Sequence, residues 1–501
     1  MIPTISEVPT QSSISGSSTA QSPLLSPRIV SLDVLRGIAI LGALFVSIWI
    51  FGGFSNNQQT GLLLRSKGLN YRLFGAVNLL LEGKMRALIA IVFGAGMVIF
   101  MSKENQKGQV SNADLFMRRQ FWLMLFGLIN AIVFLWTGDM LFHLAVMGVL
   151  LFPFTRFSKR GLLIAAAVAM MIYCGKNYWN YSDDRKAYNK YLAATNFEKK
   201  IKKDFDDNAK KDSLLRTQKK DSLSAGQKTD SSSAKAKTDT LTKEQKDDKG
   251  AWEGKVSGMK YDAKKDDAEK KAMRSVSYGK LWNHLLGTTQ YKEAAWTYQT
   301  GIWDFAGMIL LGMALFKFGF FSSQFSRSRY LLIAVGGLTA GLLLGWFRLH
   351  NEQITLRDYA KYIDHHWIPY NFFFPFEMAF MALGYASLVI FLLGTGSPSR
   401  LWRGFAYVGK MALSNYLLQS ILCTLVFTGF GMGYFGRLSH FQLYIVAGEI
   451  GLLQLGFSIL WMRNFYLGPA EWLLRCLMHK KWLPNKIKRS TITESSVAAH
   501  S

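Results

Sequence analysis

The sequence predicts an all-α integral membrane protein, a bundle of about ten transmembrane helices with both termini in the cytoplasm. Apolar runs close to the roughly 20 residues that span a bilayer recur along the chain. They are continuous rather than alternating, which argues against a β-barrel. Basic residues crowd every second short loop, as the positive-inside bias requires.

Half of the 501 residues are hydrophobic and 14% aromatic, yet the mean hydropathy is only +0.12. That low mean combines an apolar body with one polar insert. The three cysteines, Cys174, Cys423 and Cys476, have no paired or metal-type spacing, so neither a disulfide framework nor a metal site is expected. Residues 1–27 are Ser/Thr-rich and nearly uncharged. They lack the basic start and short apolar core of a cleaved signal peptide and are expected to form a flexible cytoplasmic tail.

The first apolar run, about 31–54, lies in IVSLDVLRGIAILGALFVSIWIFGGF and carries Asp33 and Arg36 in its first turn. Charge inside a span costs roughly 2.5–3.5 kcal/mol at mid-bilayer, so such residues face a partner or a watery cavity. At i, i+3 the two can neutralise each other, which serves an anchor or a site equally well. The second run, 72–101, is interrupted by Glu82, Lys84 and Arg86. The third and fourth, 118–137 and 139–156, meet at a tight Thr137-Gly138-Asp139 turn that suits a helical hairpin. A fifth run, 161–180, completes a first half spanning 28–180. The second half, 296–480, holds runs at 301–319, 329–349, 370–394, 405–430 and 441–463, before a cytoplasmic tail at 481–501.

Orientation follows from the loops. Lys103, Lys107, Arg118 and Arg119, then Arg156, Lys159 and Arg160, then Lys317, Arg327 and Arg329 share one side with Arg400, Arg403 and Lys410. The insert, 181–295, then falls outside the cytoplasm. Its middle includes KTDSSSAKAKTDTLTKEQKDDKG, with no apolar periodicity, so 205–270 is expected to be disordered or loosely helical. The formal net charge of +26 arises largely from this insert and the basic loops, and no nucleic-acid partner is expected.

Helix directions sort the intramembrane polar residues into two layers. Glu82, Lys84, Arg86, Asp139, Asp304, Arg348 and Glu377 belong to the outer layer. Asp33, Arg36, Arg118, Arg119, Lys410, Asn415 and Gln419 belong to the cytoplasmic one. Guanidinium groups bind phosphate bidentately, so the inner layer suits a coenzyme A or nucleotide pyrophosphate as well as it suits simple anchoring. Lys84 and Arg86 need anions, and Asp139, Asp304 and Glu377 are available, either as an acceptor site or as a charge network ordering the bundle. Asn415 and Gln419, i, i+4 on one helix face, either line a cavity or bond a neighbouring helix. The glycines of FGAGM at 93–97 lack the context of a nucleotide loop and read as close helix packing.

Six stretches in order resemble the YeiB-like membrane proteins of the DUF418 family. They are RIVSLDVLRGIAILG (28–42), GKMRALIAIVFGAGM (83–97), MRRQFWLMLFGLINAIVFLWTGDML (117–141), GYASL (384–388), VGKMALSNYLLQSILCTLVF (408–427) and ILWMRNFYLGPAEWLLRCLM (459–478). The resemblance implies a bacterial inner-membrane protein of a family without an established activity. The first helix also resembles the LDxLRG-like start of the transmembrane acyltransferases. Those enzymes move acyl groups from a cytoplasmic thioester donor to acceptors such as sugars.

By that analogy the chain would be an acyltransferase-like protein working on acyl-CoA as co-substrate, with no bound cofactor. The donor would meet Asp33, Arg36, Arg118 and Arg119, and Lys84, Arg86, Asn415 and Gln419 would complete the binding set. The sequence departs from the enzyme pattern, for residues 43–142 contain no histidine and Asn130 stands where the family often has one. A general base must reach the acceptor hydroxyl, which leaves Asp139 and His143, one turn apart, as the catalytic candidates. His143 reads more readily as an interhelical hydrogen-bonding residue than as a catalytic one. A transporter of a small polar or anionic solute, using the same layers as gates, is the second expectation, and a non-catalytic envelope factor the third. The lipid bilayer is the expected partner in all three.

Overall fold

The computed structural model describes residues 29–54, 56–65, 67–102, 110–220, 241–395 and 399–487. The expected tail at 1–27, Lys103, Lys107, residues 221–240 of the insert and residues 488–501 lie outside them.

The described chain is helical, with no β-structure beyond one bridge between Phe465 and Lys486. In order come α1 (Val30–Phe51), α2 (Asn56–Arg65), α3 (Leu69–Leu80), α4 (Lys84–Met101), α5 (Asn112–Ile132) and α6 (Leu141–Leu150). The long α7 (Lys159–Lys220), α8 (Lys243–Met259), α9 (Ala263–Met273) and α10 (Tyr278–Gln290) follow. A wide π-turn segment, Tyr291–Gly301, then leads into α11 (Ile302–Lys317). The rest comprises α12 (Arg327–Arg357), α13 (Tyr359–His365), α14 (Phe374–Leu393), α15 (Ser399–Lys410), α16 (Ala412–Phe427), α17 (His440–Trp461) and α18 (Pro469–His479).

Seven helical stretches among the described residues are long and apolar enough to cross a membrane, and α15 with α16 makes an eighth if that pair, bent by 80°, is one span. The apolar runs at 118–137 and 139–156 became α5 and α6. The first is long enough but carries Arg118, Arg119 and Gln120 in its early turns. The second has 10 residues, about 15 Å of helix, half the hydrocarbon thickness. A girdle of bare apolar side chains surrounds the bundle, including Ile164 and Met171 on α7, Leu332 and Leu343 on α12, and Leu452 and Leu460 on α17. Exposure on that scale has no place in water and fits an α-helical membrane protein.

The centre of the bundle is made by α1, α4, α11 and α14, where Leu35, Leu88, Ile91, Ile309, Met313 and Ala382 are sealed from solvent. Glycine permits two of the crossings. A Cβ on Gly94 would stand 2.0 Å from the Ile309 carbonyl oxygen, and one on Gly312 2.0 Å from that of Ile91, so α4 and α11 touch backbone to backbone. At the α1–α15 crossing, a Cβ on Gly409 would lie 1.8 Å from the Asp33 carbonyl. Gly37 of the LDVLRG stretch faces the Phe405 carbonyl in the same way, so that glycine is there for packing.

The described part of the insert is helical. α7 runs on without a break to Lys220, and α8 packs beside it. Trp252 is buried against Tyr188 at 4.9 Å and stacked on Tyr359 at 5.6 Å. Ion pairs Lys190–Asp248 (3.4 Å) and Lys249–Glu198 (2.6 Å) flank this contact. A Thr242–Gln245 capping box starts α8. The apolar partners that anchor α8 lie far apart in sequence, on α7, α8 and α13, which is why no periodicity marked them.

Candidate functional site

The bundle has two chemically different ends. At one, Asp33 enters the first turn of α1 because an acid is favoured at a helix N-terminus, and its Oδ1 accepts from Arg36 Nη1 at 3.1 Å. Arg36 and Arg475 lie within electrostatic reach of Arg119. Arg119 also sits over the Phe93 ring at 5.5 Å, and Arg118 donates to the Met478 carbonyl at 3.3 Å. Lys410 lies over Tyr407 at 5.6 Å. Glu471 of the GPAEW stretch reaches the start of α16, accepting from the backbone N–H groups of Leu413 (2.6 Å) and Ser414 (3.1 Å). It caps a helix that begins at a bend, where the orphan N–H groups have no preceding turn.

Asn415 and Gln419 bond neighbouring helices. Asn415 Nδ2 donates to Ser458 Oγ at 2.9 Å, and Gln419 Nε2 to Gln454 Oε1 at 2.9 Å and the Ile40 carbonyl at 3.2 Å. Gln454 Nε2 returns a bond to the Asn415 carbonyl at 2.7 Å. This is interhelical glue rather than a cavity wall.

At the opposite end the buried charges pair. Lys84, wholly buried, contacts Glu377 and donates to the Asn78 carbonyl at 3.0 Å. Arg348 Nε donates to Glu377 Oε2 at 2.8 Å and Arg348 Nη2 to Asn78 Oδ1 at 2.7 Å, with Glu82 and Glu352 at 3.7 and 3.6 Å. Arg86 pairs with Asp304 at 2.9 Å. Glu377 thus answers Lys84, Asp304 answers Arg86, and Asp139 stands apart from both.

Asp139 belongs to a third group. Its Oδ1 accepts from Asn130 Nδ2 at 2.8 Å and Tyr416 Oη at 3.0 Å, and its Oδ2 from the Phe142 N–H at 2.7 Å. Tyr416 is itself oriented by the Met140 N–H and the Trp136 indole. Gly127 clears the space beside this carboxylate, since a Cβ there would stand 2.8 Å from Asp139 Oδ2. His143, 3% exposed, sits one turn into α6 between the Phe305 ring and the edge of Trp296. Its Nε2 lies 3.3 Å from the Lys292 carbonyl, and its Nδ1 lies 3.9 Å from Glu293 Oε2. One ligand atom from each of Asp139, His143 and Glu293 lies within 4.8 Å of the other two. Sequence reasoning missed Glu293, which comes from the π-turn segment and lies within residues counted as insert. The signal was the apolar and aromatic AAWTYQTGIW that joins it to α11 without a break. This 11-residue π-helical stretch carries Glu293 toward His143 of α6.

Gln120, on α5 one residue from Arg119, is wholly buried, and neither amide atom has a hydrogen-bond partner among the described residues. The same holds for Asn130 Oδ1, His143 Nδ1 and both Glu293 carboxylate oxygens. These atoms follow the α5–α6 seam from the arginine end to the acidic end, and Gln120 and Asn130 are about 15 Å apart along α5.

A helical bundle girdled by bare apolar side chains, with buried charge at both ends, defines a polytopic α-helical membrane protein. Residues 315–481 match the family model described as "Protein of unknown function (DUF418)". The chain is 26% identical to the uncharacterized protein YxaH of Bacillus subtilis (strain 168) over 475 residues, covering 93% of this chain and 98% of that one. It is 26% identical to the uncharacterized protein YeiB of Escherichia coli (strain K12) over 480 residues, covering 90% and 96%. An uncharacterized 39.9 kDa protein in the amylase 3' region of Bacillus acidopullulyticus matches at 30% over 105 residues, 21% of this chain and 30% of that one. These matches support a YeiB-like DUF418 family assignment. No solved structure matches.

Proposed function

We propose that the chain is a multi-pass inner-membrane protein of the acyltransferase type, with cytoplasmic termini and the insert on the outer side. An acyl thioester such as acyl-CoA is bound from the cytoplasm, its phosphates held by Arg36, Arg118 and Arg119. A polar hydroxyl acceptor enters from the outside beside Asp139 and His143. In the transfer the acceptor oxygen attacks the thioester carbonyl, a C–O bond forms and the C–S bond breaks. The hydroxyl proton passes into the acidic pocket, and the thiolate leaves toward the arginine end.

The observation that supports this reading is the file of unpartnered buried polar atoms from Gln120 to Glu293. Leaving such a group unmade costs about 1–3 kcal/mol, and several in one seam indicate groups kept for a substrate. The arginines at one end of the seam suit a thioester bearing phosphates, and the carboxylates and imidazole at the other suit a hydroxyl. Lys84, Arg86, Asn415 and Gln419 have partners in the bundle and take a structural part in this scheme.

The test is free-thiol release from acyl-CoA by the purified chain across a panel of sugars and other polyols. Acceptor-dependent release, abolished in Asp139→Asn and Arg36→Ala, is the expected result. The 80° break between α15 and α16 favours a second reading, transport of a small polar solute, because transporters build sites from broken helices. Uptake of solute into proteoliposomes with no thiol release from any thioester would establish that reading instead.

A further inference from the structure

We propose that Asp139, His143 and Glu293 form a binding site for a divalent transition-metal cation of the zinc class. The inference stands on geometry and holds whether or not the chain transfers acyl groups.

The three ligands come from separate places in the fold: the turn before α6, α6 itself and the π-turn segment. One ligand atom from each lies within 4.8 Å of the other two, so small side-chain rotations bring them onto one ion. Zinc takes such N and O donors at about 2.0–2.2 Å. With the ring neutral and Nε2 bonded to the Lys292 carbonyl, which can only accept, the proton sits on Nε2. Nδ1 is left with its lone pair, buried, without a hydrogen-bond partner, facing Glu293. A ligating histidine almost always donates its other ring N–H to a carbonyl or carboxylate, and the Lys292 carbonyl fills that role.

The two acids fit as well. The Glu293 side chain is 9% exposed, and neither of its oxygens has a hydrogen-bond partner among the described residues. Asp139 accepts hydrogen bonds from Asn130, Tyr416 and the Phe142 N–H, and the Leu141 N–H also acts on it. These donors fix the carboxylate as outer-shell partners do, and an ion would take the place of one of the backbone donors. A cation between two buried acids also offsets their mutual repulsion. Arg86, whose charge acts on His143, is engaged by Asp304, whereas the Lys292 charge acts on Glu293. One imidazole and two carboxylates suit zinc, manganese or iron(II) rather than calcium, which takes 6–8 oxygens. Three protein ligands leave a coordination position open, the arrangement of a catalytic rather than a structural metal.

The test uses the full-length chain in detergent, stripped with EDTA and titrated with zinc chloride alone, with bound metal counted by mass spectrometry after gel filtration. The expected result is about one zinc per chain, with affinity falling at least tenfold in Glu293→Gln and in His143→Ala. Glu293→Gln keeps the shape of the side chain and so guards against loss of fold, which a melting curve checks. Asn130→Ala, altering only a partner of Asp139, should weaken binding without abolishing it. A cobalt(II)-loaded sample should show ligand-field bands that Glu293→Gln removes. Zinc retained equally by the Glu293→Gln and His143→Ala variants, or no zinc beyond that bound by Glu293→Gln, would overturn the site.

Discussion

His143 Nδ1 faces Glu293 Oε2 across 3.9 Å of buried space, and neither atom has a hydrogen-bond partner among the described residues. The imidazole is held from its other nitrogen by a backbone carbonyl, is stacked on Phe305 and meets Trp296 edge-on. A side chain fixed this firmly with its lone pair unused is poised for a ligand. The contrast with Lys84 and Glu377, which are as deeply buried but contact each other, separates chemistry from architecture at this end of the bundle.

Glu377 answers two cations, so its loss should cost more than the loss of Lys84, which answers it alone. In Glu377→Leu both Lys84 and Arg348 lose their nearest carboxylate, and about 3–5 kcal/mol of destabilisation is expected. Lys84→Met leaves Glu377 with Arg348 and should cost less. Melting temperatures in one detergent give the order, and a larger loss in Lys84→Met would contradict this pairing.

Gly94 and Gly96 differ by two positions on α4 and by everything that matters for packing. A methyl on Gly94 meets the Ile309 carbonyl, whereas one on Gly96 meets nothing within 4 Å. Gly94→Ala should lose about 1–3 kcal/mol or more by forcing α4 and α11 apart. Gly96→Ala should be neutral or slightly stabilising through helix propensity. Equal melting temperatures for the two variants would contradict the crossing.

The hairpin of α7 and α8 should depend on pH. The Lys249 hydrogen bond holds the Glu198 carboxyl below its usual value, and the same bond raises the Lys249 ammonium above its own. The Glu198 contribution is present above the ordinary glutamate value of 4.5 and is lost as pH falls through its folded value. The Lys249 contribution is present below 10.5 and is lost as pH rises through its folded value. Hydrogen exchange in α8, corrected for intrinsic rate, should be slowest between these limits and lose that dependence in Lys249→Ala. Trp252→Ala should open α8 at all pH values by removing its buried anchor.

Much of the fold was legible because bilayer solvation writes it into composition. Each of the ten apolar runs overlaps a helix, and the grouping of Asp33, Arg36 and Arg119 apart from Lys84, Asp304 and Glu377 follows from helix directions alone. The bend at Met411 was not legible, because 405–430 carries no proline or charge cluster to mark a break and the Glu471 cap that supports a second helix start lies more than 50 residues away. Glu293 was hidden for a related reason: it sits in a run of mixed polarity at the edge of a charged insert, and only a π-turn carries it to His143. Asp139 was found because an acid in a Thr-Gly-Asp turn between two apolar runs has no cheap structural excuse.

The most direct measurement is a thermal-shift titration of the detergent-purified chain with CoA, acetyl-CoA and longer acyl-CoAs. A ligand at 100 times its dissociation constant adds about 2.7 kcal/mol to the native state. The proposed function predicts a saturable upward shift that disappears in Arg36→Ala and persists in Glu293→Gln, since the two residues stand at opposite ends of the seam. No shift with any thioester, or a shift that survives Arg36→Ala unchanged, would contradict it.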